Sequence, residues 1–234
     1  MTGEGEEREV RAALERVRAG MAAAARRCGR REGEVELLAI SKNVPAEIVG
    51  IAAGLGLRVF GESRVQEARA KIPALPPDLI WHMVGQLQTN KAREAFRLFK
   101  LIHSLDRLEL ARILSRLGEA AKSACNVLIQ VNVSGMAQQG GVKPEEVPEL
   151  IEKCSELPYL RYCGLMAIGP YPASERDIRS AYRAVKGLFD TLAGSLGAEF
   201  KTLSMGMSGD YEIAIEEGST LVRIGTSIFG ERRY

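Results

Sequence analysis

The sequence predicts an α/β protein: a single (β/α)8 TIM-type barrel with an extra N-terminal helix, spanning residues 1–234 as one domain. Three observations predict it. Eight short apolar runs alternate with helical segments, as in a parallel sheet built from βα units. The runs are apolar throughout rather than at every second residue, as in strands covered on both faces. Eight repeats in 234 residues suit a compact barrel, a fold of about 250 residues. An open doubly wound sheet would share the alternation, but no G-x-G-x-x-G follows the first run and the glycine-rich segments come late.

The elements follow in order. Residues 6–27 carry Val10, Ala13, Leu14, Val17 and Met21 at helical spacing. The first strand, 35–40, reads VELLAI and precedes a helix over 45–54. The second, 58–61 (RVFG), precedes a helix over 63–71, and the third, 80–85 (IWHMVG), one over 90–96. The fourth, 101–105 (LIHSL), is followed by a helix over 106–122, and the fifth, 126–133 (NVLIQVNV), by one over 144–156. The sixth, 161–167 (RYCGLMA), precedes the longest later helix, 174–193. The seventh, 202–204 (TLS), and the eighth, 221–224 (LVRI), flank a helix over 210–217. The loop 134–141, SGMAQQGG, has the most flexible composition inside the chain.

Composition excludes several classes. Thirty-two basic and 30 acidic residues leave a net charge of +2, too little for a broad nucleic-acid footprint. No apolar run approaches a membrane span. The start, MTGEGEEREV, is acidic and lacks the apolar core of a signal peptide, so a cytoplasmic protein is expected. Four cysteines without a C-x-x-C pair and only two histidines speak against zinc and disulfide scaffolds, and no metal is expected.

In a parallel barrel the site lies at the C-terminal ends of the strands. Lys42 follows the first strand, and a partly desolvated lysine there is a usable Schiff-base nucleophile. Ser63 follows the second strand. His82 lies within the third, as a core residue or a ligand contact. Met166, at the end of the sixth, pads a ring or fills the core. The seventh and eighth strands end in small-residue turns, Gly206-Met207-Ser208-Gly209 and Gly225-Thr226-Ser227, the latter behind Arg223. Glycines let an anion approach the backbone, Ser208 and Thr226 add hydroxyls, and barrels recurrently bind phosphate there. A lysine beside a phosphate cup suits an aldehyde-bearing phosphorylated cofactor, pyridoxal 5′-phosphate (PLP), and equally a sugar phosphate in a lysine-dependent aldolase. The residues alone leave the two open.

The segments LLAISKNVP, FGESRVQEA, WHMVGQLQTNK, HSLDR, VLIQVNVS, GLMAIGP, LSMGMSGDYEIAI and GSTLVRIGTSIFGER, in this order, resemble the pyridoxal phosphate homeostasis proteins, which are similar in fold to the N-terminal domain of alanine racemase. The resemblance runs from about Val35 to Tyr234. It implies a PLP-carrying barrel with the Schiff base on Lys42, Ser208, Gly225 and Thr226 at the phosphate, and Arg223 at the pyridine nitrogen. It also implies a mostly monomeric, cytosolic carrier that supplies PLP to apo-enzymes by transient contact. Two positions depart from the family: Ser63, where many relatives have asparagine near the cofactor, and Gln139, where many have a loop lysine. The alternative is a PLP-dependent racemase-like enzyme. Racemases of this kind take a second acid/base, a tyrosine, from a further C-terminal domain, and the barrel pattern here runs to Tyr234, so a carrier is expected rather than an enzyme.

Overall fold

The computed structural model describes residues 3–134 and 139–230. Part of the glycine-rich loop (residues 135–138) and the last four residues, with Tyr234, lie outside the described residues. Helix α1 (Gly3–Arg27) precedes β1 (Glu36–Ile40), α2 (Ala46–Gly54), β2 (Val59–Glu62), α3 (Val65–Lys71), β3 (Ile80–Met83), α4 (Ala92–Leu98) and β4 (Leu101–Leu105). There follow α5 (Leu108–Ala121), β5 (Cys125–Val131), α6 (Val147–Lys153), β6 (Leu160–Ala167), α7 (Glu175–Leu196), β7 (Thr202–Ser204), α8 (Tyr211–Glu216), β8 (Leu221–Ile224) and the short α9 (Thr226–Phe229). Each strand pairs in parallel with its sequence neighbour. The sheet closes where β8 pairs with β1, with Leu38 opposite Arg223 and Ala39 opposite Ile224. The expected eight-stranded barrel and its additional helix are therefore present.

Alternation along each strand divides the side chains between two environments. The outward set, including Ala39, Phe60, Trp81, Ile102, Val127, Leu165, Leu203 and Val222, packs on the helices in one continuous core. The inward set forms smaller clusters: Leu38, Val59 and Leu221 on one side, and Leu101, Leu128 and Met166 on the other. With both faces buried the strands need no polar side, hence their continuous apolar reading.

Expected helix limits shift where backbone geometry decides them. Arg64 is extended (φ −134°, ψ 127°), so α3 starts at Val65 rather than at residue 63. A 3-10 turn, Thr89–Lys91, delays α4, and α6 ends at Cys154, whose backbone (φ −101°, ψ 2°) leaves helical geometry. Helix α1 docks on α8. Arg27 pairs with Glu212 (2.7 Å) and Glu216 (2.6 Å), and Gly20 lies so close to Tyr211 that an added Cβ would stand 2.2 Å from its hydroxyl.

Candidate functional site

Lys42 stands two residues past the end of β1, half-buried in the turn that follows the strand, while Ile40 packs with the inward cluster of Leu38, Val59 and Leu221. Lys42 lines a cleft of about 620 Å³ together with Ile40, Gly225 and Thr226, walled on another side by Glu6, Glu9 and Val10 of α1. The closure of β8 on β1 makes them neighbours: a Cβ on Gly225 would lie 3.3 Å from Ile40 O, tight enough that a side chain there would crowd the end of β1.

The two small-residue turns are joined. Ser227 N–H donates to Ser208 Oγ (3.3 Å), and Arg223 N–H to Gly206 O (3.0 Å). Gly206 has φ +89°, and a Cβ there would approach Ala214 Cβ to 2.5 Å, so only glycine fits between the turn and α8. Asp210 holds the turn from the other side: Oδ1 accepts Met207 N–H (2.6 Å) and Oδ2 accepts the Tyr182 hydroxyl (2.7 Å). A Cβ on Gly209 meets nothing within 4 Å, and the N–H groups of Ser208 and Gly209 have no acceptor among the described residues. Orphan donors, hydroxyls and open space over a glycine form a donor set that fits a phosphate.

Arg223 lies in the barrel interior, 5% exposed. Its Nη1 donates to Ser204 O and Ser204 Oγ (both 2.8 Å) and its Nη2 to Ala167 O (2.9 Å). Its Nε–H has no acceptor among the described residues. The chain continues through Ser204 Oγ to His103 Nδ1 (3.3 Å) and from His103 Nε2 to His82 Nδ1 (3.1 Å). Because Ser204 Oγ already accepts from Arg223, its hydrogen goes to His103 Nδ1. His103 then carries its own hydrogen on Nε2 and donates to His82, an assignment made from bond direction. Burial holds both rings neutral: His82 is pushed down to about 4, and His103 well below the usual histidine range, with the neighbouring His82 and Arg223 adding to it.

This neutral pair makes stability depend on acid. A histidine whose folded pKa is depressed contributes fully above its unfolded value, about 6.5, and loses that contribution as pH falls toward the folded value. His82 alone accounts for about 3 kcal/mol between pH 7 and pH 4. Urea unfolding across this range is expected to show that loss, and a smaller one in His82→Gln. Equal slopes would show that His82 is not held neutral.

The structure thus brings Lys42, Gly225 and Thr226 to one cleft, ties Ser208 to the neighbouring turn, and connects Arg223 to His82 through Ser204 and His103. Met166 is 1% exposed, paired across the ladder with Ser204 and packed on Leu101 and Leu128. Ser63 lines a separate cleft, about 710 Å³, over the ends of β2 to β4. His103, Ser204, Tyr182 and Asp210 were not singled out from the sequence. The available signal was a polar residue inside an apolar strand, which must find a partner when buried. Among the described residues no group of three or more His, Cys, Asp or Glu side chains is placed to hold a metal ion, and no helix is long and apolar enough to cross a membrane.

Comparison with known proteins adds independent findings. The family described as "Alanine racemase, N-terminal domain" matches residues 13–233. A pyridoxal phosphate homeostasis protein of Aquifex aeolicus is 45% identical over 222 residues, covering 94% of this chain and 97% of the relative. A protein of Bifidobacterium adolescentis, described as unknown, superposes with a TM-score of 0.91 at 33% identity, covering 96% of both chains. PipY of Synechococcus elongatus PCC7942, solved with PLP bound, superposes with a TM-score of 0.81 at 32% identity, covering 94% of this chain and 100% of that one.

Proposed function

Because the chain belongs to the alanine racemase N-terminal-domain family, and within it to the pyridoxal phosphate homeostasis proteins, we propose that it binds PLP as a Schiff base on Lys42 and releases it to apo-enzymes. What supports this reading is the cleft that Lys42, after β1, shares with Gly225 and Thr226 of the turn after β8, the strand that pairs with β1. When bound, PLP supplies an aldehyde that captures amines and a ring that disperses negative charge. Ser208, Thr226 and the free N–H groups of the Gly206–Gly209 turn hold the phosphate. Lys42 holds the aldehyde carbon. The Nε–H of Arg223 would donate to the ring nitrogen, its guanidinium plane being fixed by bonds to Ser204 and Ala167 O. The carrier acts in the cytoplasm as a single-domain monomer that meets apo-enzymes transiently. An absorption spectrum of the purified protein with the imine band, followed by reactivation of an apo-enzyme, tests this. A colourless protein that stays colourless with added PLP contradicts it.

Slow turnover belongs to the same reading. A guanidinium has only donors and keeps its protons, so the ring nitrogen facing it must stay an unprotonated acceptor. Such a ring is a weak electron sink. Transamination of L- and D-amino acids is expected to stay below about 1 per second, the low end of ordinary enzyme rates. Keto-acid formation at or above that rate would contradict the weak-sink reading, and α-carbon inversion at or above it would make the racemase-like enzyme the leading reading.

A further inference from the structure

Beneath the Lys42 turn lies a buried ionic cluster that the phosphate and ring contacts do not use. Lys71, the last residue of α3, is 7% exposed, and Glu62, the last of β2, is fully buried. Lys71 Nζ donates to Glu62 Oε1 (2.6 Å), to Glu67 Oε1 (2.9 Å) and to Ser41 O (2.7 Å). These three bonds occupy every hydrogen of its ammonium. Ser41 Oγ donates to the same Glu62 oxygen (2.7 Å), and Asn43 N–H donates to Glu67 Oε1 (2.5 Å). Both peptide groups that flank Lys42 are therefore gripped by one cluster: the carbonyl of Ser41 by Lys71, and the N–H of Asn43 by Glu67.

The turn needs such a grip. Asn43 stands at φ 60°, in the left-handed region that a non-glycine residue adopts at a cost. Such a conformation persists where its surroundings over-determine it. The second oxygen of Glu62, Oε2, is buried without a hydrogen-bond partner, so the carboxylate is held in place through Oε1 alone, at a cost in desolvation. A buried ion pair is weak evidence of added stability, and its better use is to specify one geometry. Here that geometry is the backbone on either side of Lys42.

We infer that Lys71 and Glu67, braced by Glu62, are positioning residues that fix the Lys42 turn so that the Lys42 amine meets the aldehyde of a ligand whose phosphate is already seated. This rests on the reading that Lys42 forms the Schiff base. In that step Nζ of the neutral amine bonds to the aldehyde carbon, the carbonyl oxygen leaves as water, and a C=N bond replaces C=O. The cluster takes no part in the bond changes.

The test separates seating from imine formation. Lys71→Met and Glu67→Ala are compared with the unaltered protein for the rate of PLP imine formation. Each is also compared for affinity toward pyridoxine 5′-phosphate, which keeps the ring and phosphate but carries an alcohol in place of the aldehyde. Misplacement by a fraction of an ångström is expected to slow imine formation about tenfold or more. Affinity for the alcohol analogue is expected to stay within about twofold, the scatter of substitutions that touch nothing essential. Lys71→Met leaves Glu62 buried and unpaired. If that variant does not fold, Glu67→Ala, which keeps the Lys71–Glu62 pair, decides alone. Imine formation within about twofold of the unaltered rate would overturn the inference. So would a parallel loss of affinity for both ligands, which marks a merely structural role. Borohydride trapping in the unaltered protein keeps the two readings apart: label absent from Lys42 defeats the Schiff-base assignment and this inference with it, whereas label on Lys42 with unchanged variants defeats this inference alone.

Discussion

Replacing Ser208 and Thr226 together by alanine is expected to weaken PLP binding by about 3 kcal/mol or more, roughly a hundredfold, since each hydrogen bond to a charged group contributes about 1.5–3 kcal/mol. The two hydroxyls stand on turns that follow adjacent strands, β7 and β8, and are linked through the Ser227–Ser208 hydrogen bond. Losing Ser208 Oγ also leaves Ser227 N–H without its acceptor, so the turn loosens as well as losing a donor. Equilibrium dialysis with PLP and with inorganic phosphate as competitor measures the effect. Unchanged affinity in the double variant would move the phosphate elsewhere.

Gly164→Ala is expected to have the largest effect on the fold. Gly164 sits in β6 at φ +147°, and an added Cβ would stand 1.8 Å from Thr202 O on β7, against backbone that cannot swing away. The ladder shows why the glycine is there. Between Val127 and Leu128 the register slips, so that Tyr162 faces Val127 but Gly164 faces Leu128, with Cys163 as the extra residue of a bulge. The slip puts Met166 on the inner face with Leu101 and Leu128. A loss above about 4 kcal/mol is expected, a large part of the 5–15 kcal/mol that hold an ordinary domain. Gly187→Ala in α7, where an added Cβ meets nothing, is expected instead to stabilise by about 0.5–1 kcal/mol. Urea titrations of both variants check this. A loss below about 1 kcal/mol in Gly164→Ala would mean that the bulge relaxes freely.

Much of this architecture is written in local sequence. Strands β4, β7 and β8 fall at the limits their apolar runs indicate, because buried parallel strands carry no competing polar pattern. The two small-residue turns after β7 and β8 were legible because their glycines recur at both strand ends. The bulge at Gly164 was not, since a glycine inside an apolar run looks like any strand residue until its neighbours are known. The Lys71 cluster was hidden for a related reason. Lys71 ends a helix with the spacing of a solvated lysine, and its partner Ser41 lies 30 residues away, so it is buried only once β1 pairs with β2 and α3 packs beside them. The His82–His103–Ser204–Arg223 chain likewise joins four strands, and no window of sequence contains it.

The central claim is that Lys42, and no other lysine, carries the cofactor. Lys71 is the informative rival: it is also near the barrel mouth, yet all three of its ammonium hydrogens are already engaged. Borohydride reduction of the PLP-loaded protein followed by peptide mapping decides between them. Our account predicts one dominant phosphopyridoxyl label, on Lys42, and none in Lys42→Ala. A dominant label on Lys71, Lys91 or any other lysine, or undiminished labelling of Lys42→Ala, would contradict it.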